Sequence, residues 1–362
     1  MAAFILFFSS AGLAQEKEDK GPLTIKIKQG ELTFWGYMHL WYGYFEDDDS
    51  VESSSWIFPA NEADGFDVRR LRLLLDGTIT PSISFRVHYE VAGTSTNRLK
   101  DAFVKFKLPT SGKNTMNLTV GQWKIPFSEA TVKWLTPFDE FIRGPIILEP
   151  VGGTGQLLDR DLGVMFDSKF WENRMFGAIG IFNGTEYSQK DDNDKKDYFA
   201  HVTFSPFAAN KTAGTLEVGL SAMSGTEGAE GSMYDRTRYA GRIKYLKAFE
   251  GGNELMLRTE YFSKKMDGRD ALEVLGVEEA KITDWYLAAA YKIDSKYEFV
   301  ARYDLYDASD LDTDYGERTG YTLGFNWYAH KNIRLMTNLS MYDEDMNSFD
   351  NNEAIVQLEF KF

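Results

Sequence analysis

The sequence predicts an all-β fold: a 16-stranded antiparallel transmembrane β-barrel with long extracellular loops and short periplasmic turns. Three observations lead there. From Leu32 to Phe362, segments of about ten residues alternate apolar and polar side chains, which puts one set on each face of a strand. The connectors between these segments are long and short by turns. The 362 residues also include 27 Phe, 19 Tyr and 8 Trp, a load that suits aromatic girdles at two lipid interfaces.

Residues 1–14 have an apolar core and small residues before Gln15, like the second half of an export signal whose charged beginning is missing. Residues 15–31 read as a charged periplasmic lead-in, too short for a coiled coil of several heptads. Residues 32–362 form one barrel domain with no linker. Its strands are expected at 32–45, 66–79, 82–92, 98–108, 115–122, 158–167, 174–184, 197–205, 214–224, 237–247, 253–265, 281–293, 296–307, 317–328, 332–343 and 353–362. The alternation is clear at Ile83, Phe85, Val87, Tyr89 and Val91, which interleave with Ser84, Arg86, His88 and Glu90. The last strand carries Ala354, Val356, Leu358, Phe360 and Phe362 on one face, a row that would aggregate if exposed to water but suits lipid.

The long connectors are 46–65, 123–157, 185–196, 225–236, 266–280, 308–316 and 344–352; those between them are short, and only 93–97 is short on the long side. An even strand count with loop length segregated by side is the outer-membrane pattern, and it places both termini in the periplasm.

Other classes fall away. Past residue 14 no apolar run approaches the ~20 residues of a membrane helix. A formal charge of -15 argues against a nucleic-acid partner. Cysteine is absent, the four histidines (His39, His88, His201, His330) show no metal-ligand spacing, and no G-x-S-x-G element occurs. No catalytic residue, metal or cofactor is expected. Two alternatives stay open: a surface adhesin or receptor acting through its loops, and, less favoured, a hydrolase with a Ser–His site assembled across strands. The acidic runs at 46–49, 191–194 and 310–314 read as solvated loops, because Asp310, Asp312 and Asp314 lack the glycine and distant glutamate of a calcium loop.

The same alternation gives the lumen face. Arg70, Arg72, Arg86, Lys105, Lys107, Arg160, Arg258, Arg302 and Arg334 fall at inward phases, interspersed with Glu90, Glu254, Glu260, Asp284, Glu298, Asp304 and Glu359. Each charge alone reads as half of a cross-strand pair; together they are the candidate pore lining. Loop 123–157 is too apolar for an exposed loop and too rich in proline (Pro126, Pro137, Pro145, Pro150) for strands. It is expected to fold into the barrel as a constriction, with Lys124 and Arg143 as selectivity charges. Packing on the outer rim or on a neighbouring subunit is the alternative.

The run Gly121-Gln122-Trp123-Lys124-Ile125-Pro126-Phe127-Ser128 resembles the "GQ-K-P-F" signature of the phosphate-selective porin O and P family. Leu158-Asp159-Arg160-Asp161-Leu162-Gly163 is similar to its "RD-G" strand, and Gly180-Ile181-Phe182-Asn183-Gly184 and Pro206-Phe207 follow in family order. The resemblance spans 30–362 and implies a homotrimeric porin of the bacterial outer membrane, with an inward loop after the fifth strand. Small hydrophilic solutes or ions would diffuse passively through it, and lipid would surround it. The terminal aromatic Phe362 is the feature that outer-membrane assembly machinery favours across this class. Anion or phosphate preference stays open, since acids dilute the inward cations and an acidic mouth repels phosphate.

Overall fold

The computed structural model describes residues 22–27, 30–46, 64–92, 98–133, 136–148, 160–185, 191, 193–207, 213–227, 233–267, 279–308, 317–345 and 351–362. The strands are β1 (Leu23–Ile27), β2 (Gly30–Phe45), β3 (Gly65–Thr80), β4 (Ile83–Ala92), β5 (Leu99–Leu108), β6 (Thr115–Lys124), β7 (Arg160–Phe170), β8 (Met175–Phe182) and β9 (Asp197–Phe204). They continue with β10 (Thr215–Glu227), β11 (Tyr234–Ala248), β12 (Glu254–Asp267), β13 (Glu279–Ile293), β14 (Tyr297–Asp307), β15 (Glu317–His330), β16 (Ile333–Glu344) and β17 (Glu353–Lys361). Each strand from β2 onward pairs antiparallel with the next, and β17 pairs back onto β2 from Glu353↔Phe45 to Lys361↔Tyr37. The sixteen strands β2 to β17 thus close into a barrel, at almost the expected bounds.

Closure answers a constraint of the solvent. Hydrocarbon offers no partner to a backbone N–H or C=O, so a sheet there leaves no edge. Strand β14 shows the resulting two faces: Tyr297, Phe299 and Ala301 are exposed, while Glu298, Val300, Arg302 and Asp304 between them are buried. No helix among the described residues is long and apolar enough to cross a membrane.

One strand was not anticipated. Within the segment read as a lead-in, β1 pairs with β2 from Leu23↔Phe34 to Ile27↔Gly30, on the edge of β2 that β17 leaves uncovered. Five residues interrupted by Lys26 are too short a run for periodicity to reveal. Residues 1–21, with the expected export signal, and the acidic runs at 47–49 and 310–314 lie outside the described residues.

The tight ends follow turn chemistry. Asp294 and Ser295 adopt φ of 52° and 57°, the left-handed pair that a two-residue hairpin needs between right-twisted strands. Where the register of β4 and β5 shifts between His88 and Tyr89, carbonyls at the bulge lose their ladder partners. The Gln122 amide donates to two of them, Leu99 O at 2.8 Å and Lys100 O at 2.9 Å. Replacing Gln122→Leu should therefore lower unfolding stability by about 1–3 kcal/mol, the usual cost of a buried polar group left unpaired. Urea unfolding in lipid vesicles measures this, and an unchanged midpoint would show that the bulge does not depend on Gln122.

Candidate functional site

Residues 125–133 and 136–148 of the connector between β6 and β7 turn into the barrel. The connector begins beside its own strand, where Lys124 Nζ donates to Thr131 O at 2.9 Å. A short helix, α1 (Glu129–Lys133), follows, tied by Ser128 and Thr131, each bonding the other's main chain and hydroxyl. From there the segment runs along the inner faces of β10 to β17. Ser221 Oγ donates to Phe127 O at 2.5 Å, and Ala130 N donates to Glu260 Oε1 at 3.2 Å. Asn326 Nδ2 donates to Glu140 O at 2.9 Å, Arg334 Nη1 to Asp139 O at 2.7 Å, and Ile142 N to Asn338 Oδ1 at 2.8 Å. Arg302 reaches Arg143 O at 2.8 Å and Gly144 O at 2.7 Å with its two terminal nitrogens.

Charge reinforces these bonds. Glu129 meets Lys244 at 2.6 Å, Lys133 at 3.3 Å and Arg258 at 3.4 Å, and Glu140 meets Arg258 at 3.5 Å and also pairs with Lys133. Burial alone would push the Glu129 carboxyl up, but Arg258, Lys244 and Lys133 outweigh it and hold the group well below the usual carboxylate range. Arg143 pairs with Glu353 at 3.1 Å and lies over the rings of Trp41 (5.2 Å) and Phe45 (5.9 Å). Ile125, Phe127, Ala130, Phe141, Ile146 and Leu148 pack with Phe262, Met266, Ile282 and Tyr286, and Ala280 and Ala288 leave them room.

Beyond Trp41, where Arg143 of the loop touches β2, runs the wall of β2 to β5 with Arg160. Arg72 pairs with Glu90 at 2.6 Å and donates to Tyr37 Oη at 2.9 Å; Arg160 pairs with Asp101 at 2.7 Å, which also holds His88 at 3.0 Å. Between Arg72 and Arg69 sits Arg70, 6% exposed, with no hydrogen bond or ion pair to any described residue. A register shift between His39 and Trp41 brings Arg69 inward as well, 4.7 Å over the Trp41 ring.

A loop pinned inside a closed barrel of this size is a channel architecture, and comparison with known proteins agrees. The family model described as "Phosphate-selective porin O and P" matches residues 59–242 and 230–362. The chain belongs to that family. It is a channel of the bacterial outer membrane and not an enzyme. The porin is similar in fold to an anion-selective porin from Comamonas acidovorans (14% identity, 92% of this chain and 100% of that chain covered, TM-score 0.65). It is also similar to the outer-membrane channel DcaP of Acinetobacter baumannii (13%, 93% and 99%, TM-score 0.62) and to the trimer form of OmpT, an outer-membrane protein of Vibrio cholerae (12%, 92% and 100%, TM-score 0.60). No curated protein matches the porin significantly in sequence.

Besides Arg70 and Arg72, the nine other cations singled out from the sequence sort into three groups. Arg258, Arg302, Arg334, Arg143 and Lys124 hold the loop. Arg86 and Arg160 pair along the wall, Arg86 with Asp76 at 2.6 Å. Lys105, 3.8 Å from Asp167, and the exposed Lys107 are the more open ones. Sequence reasoning missed Arg69, because a bulge inverts its phase, and Arg236 and Arg238, which pair with Asp197 at the start of β11. The "RD-G" and "IFNG" runs meet here: the Asp161 carboxylate accepts from Gly184 N at 2.6 Å, and Arg236 donates to Gly184 O at 2.6 Å.

One Ser–His contact has the wrong polarity for catalysis. Ser221 gives its single proton to Phe127 O, so His201 Nδ1 at 2.7 Å must donate to Ser221 Oγ rather than draw a proton from it.

Arg302→Met should free two loop carbonyls, each bond to the guanidinium being worth about 1.5–3 kcal/mol. Single-channel records of this variant should show open-channel substates absent from the wild type, with the barrel still folded. A record as quiet as wild type would show that the loop does not hang on Arg302.

Proposed function

We propose that the porin is a weakly anion-favouring diffusion channel for small hydrophilic solutes, narrowed by loop 123–157. The observation that supports the preference most is Arg70. A buried guanidinium set between Arg69 and Arg72, with no ion pair to any described residue, is costly, and a passing anion is the partner that relieves the cost. Its surroundings point the same way: along β2 to β5 and β7, the cations Arg69, Arg70, Arg72, Arg86, Lys105 and Arg160 face the acids Asp76, Glu90, Asp101 and Asp167. The solved anion-selective porin with the same fold is consistent with this assignment.

Phosphate specificity receives less support. Stripping the hydration of phosphate takes a dense set of unpaired cations, and Arg86, Arg143, Arg160, Arg258, Arg302 and Arg334 are each engaged with an acid. Family membership and the trimeric OmpT relative support a homotrimer, and the aromatic Phe362 supports delivery by the outer-membrane assembly machinery.

Reversal potentials in a KCl gradient test the preference. The wild type should favour chloride, and Arg70→Gln should reduce the anion-to-cation permeability ratio by about twofold or more, as expected when a fixed charge leaves a narrow lumen. Cation preference in the wild type would reject the proposal.

A further inference from the structure

Gly36 lies inside β2, where glycine weakens a strand and often marks a place that something approaches closely. Its φ is not in the left-handed region, so what the position requires is space rather than conformational freedom. A Cβ built on Gly36 would stand 2.7 Å from Cζ and 2.9 Å from Cε2 of Phe362, and 2.5 Å from the Arg72 carbonyl oxygen. The ring of the last residue therefore lies in the volume that any other side chain would fill. The main chains agree: Gly36 N donates to Phe362 O at 2.9 Å, and Phe362 N donates to Gly36 O at 3.0 Å. Phe360 stacks beside Phe362 at 5.8 Å between ring centroids.

The position along β2 matters. Strand β17 covers the β2 edge from Phe45 to Tyr37, Phe362 covers Gly36, and β1 covers Phe34 to Gly30. With Phe362 in place, the edge is covered almost end to end and offers little to an incoming strand.

We propose that Gly36 is the receiving site for the Phe362 ring: the space that Gly36 leaves on β2 lets the ring seat there, and seating it completes barrel closure. The role is independent of which solute the channel passes. It makes Gly36 a positioning residue for assembly, coupled to a residue 326 positions away in sequence that it meets only in the closed barrel.

The test is the rate of barrel closure when the full chain folds from urea into short-chain phosphatidylcholine vesicles. Closure is read from the shift in gel mobility between unheated and heated samples. Gly36→Ala and Phe362→Ala should each slow closure by about tenfold or more, and the double variant should be no slower than the slower single, because both disrupt one contact. Phe362→Tyr, which keeps the ring, should close at the wild-type rate. A wild-type rate for either alanine variant would overturn the proposal. So would effects that multiply, the outcome expected if the added methyl group strikes only the Arg72 carbonyl. A Gly36→Ala chain that fails to close even when combined with Phe362→Ala would overturn it for the same reason.

Discussion

Hydrocarbon gives a polypeptide backbone nothing to bond with, and the rest of this molecule depends on how the chain meets that condition at one seam. Strand β17 must find β2, more than three hundred residues earlier, and every ladder bond between them spans that separation. The inner face of the seam is built accordingly. Glu359 stands between Arg334 at 2.9 Å and His39 at 3.2 Å, so the last three strands in the closing order share one buried carboxylate. Arg334 also holds the loop at Asp139 O, and Arg143 of the loop pairs with Glu353 at the start of β17. The loop is thus fastened to the seam as well as to the wall, and closure shapes the lumen.

Most of the buried charge in the lumen acts as structure. Removing one partner of such a pair typically costs about 3–5 kcal/mol, because the other is left buried and uncompensated. This explains why a chain with so many inward cations is not thereby a dense anion filter. Arg258, Arg302 and Arg334 spend their donors on loop carboxylates and carbonyls. On the proposed reading, the charge that acts on solutes is that of the wall around Arg70, and the sign of selectivity follows from which cations are left without an acid rather than from how many exist.

The strands were legible because a wall with lipid outside and polar groups inside forces period-2 alternation. The inward course of residues 125–133 and 136–148 was legible from the prolines and aromatic residues of that stretch. Its contacts were not, although a signal lay in the same alternation: Phe262, Met266, Ala280, Ile282 and Ala288 occupy inward phases where a wetted wall would be polar, and they mark where the loop lies. Arg69 was beyond reach, since a bulge reverses its face. The motif residues Gln122, Lys124, Arg160 and Asp161 carry the family likeness, but their work is in joints (a bulge, a loop root, two rim locks) that only the folded chain brings together.

Bonded along the inner wall and at the seam, the described part of the loop should act as a fixed part of the lumen wall rather than a moving gate. The chain has no cysteine, so an introduced pair reports cleanly. Ile146 of the loop stands against Gly320 of β15, its Cδ1 3.2 Å from where a Cβ on Gly320 would be. With Ile146→Cys and Gly320→Cys joined by a short thiol crosslinker, single-channel conductance should equal that of the same variant before crosslinking. A conductance that falls or rises on crosslinking, or gating that disappears with it, would contradict the fixed loop.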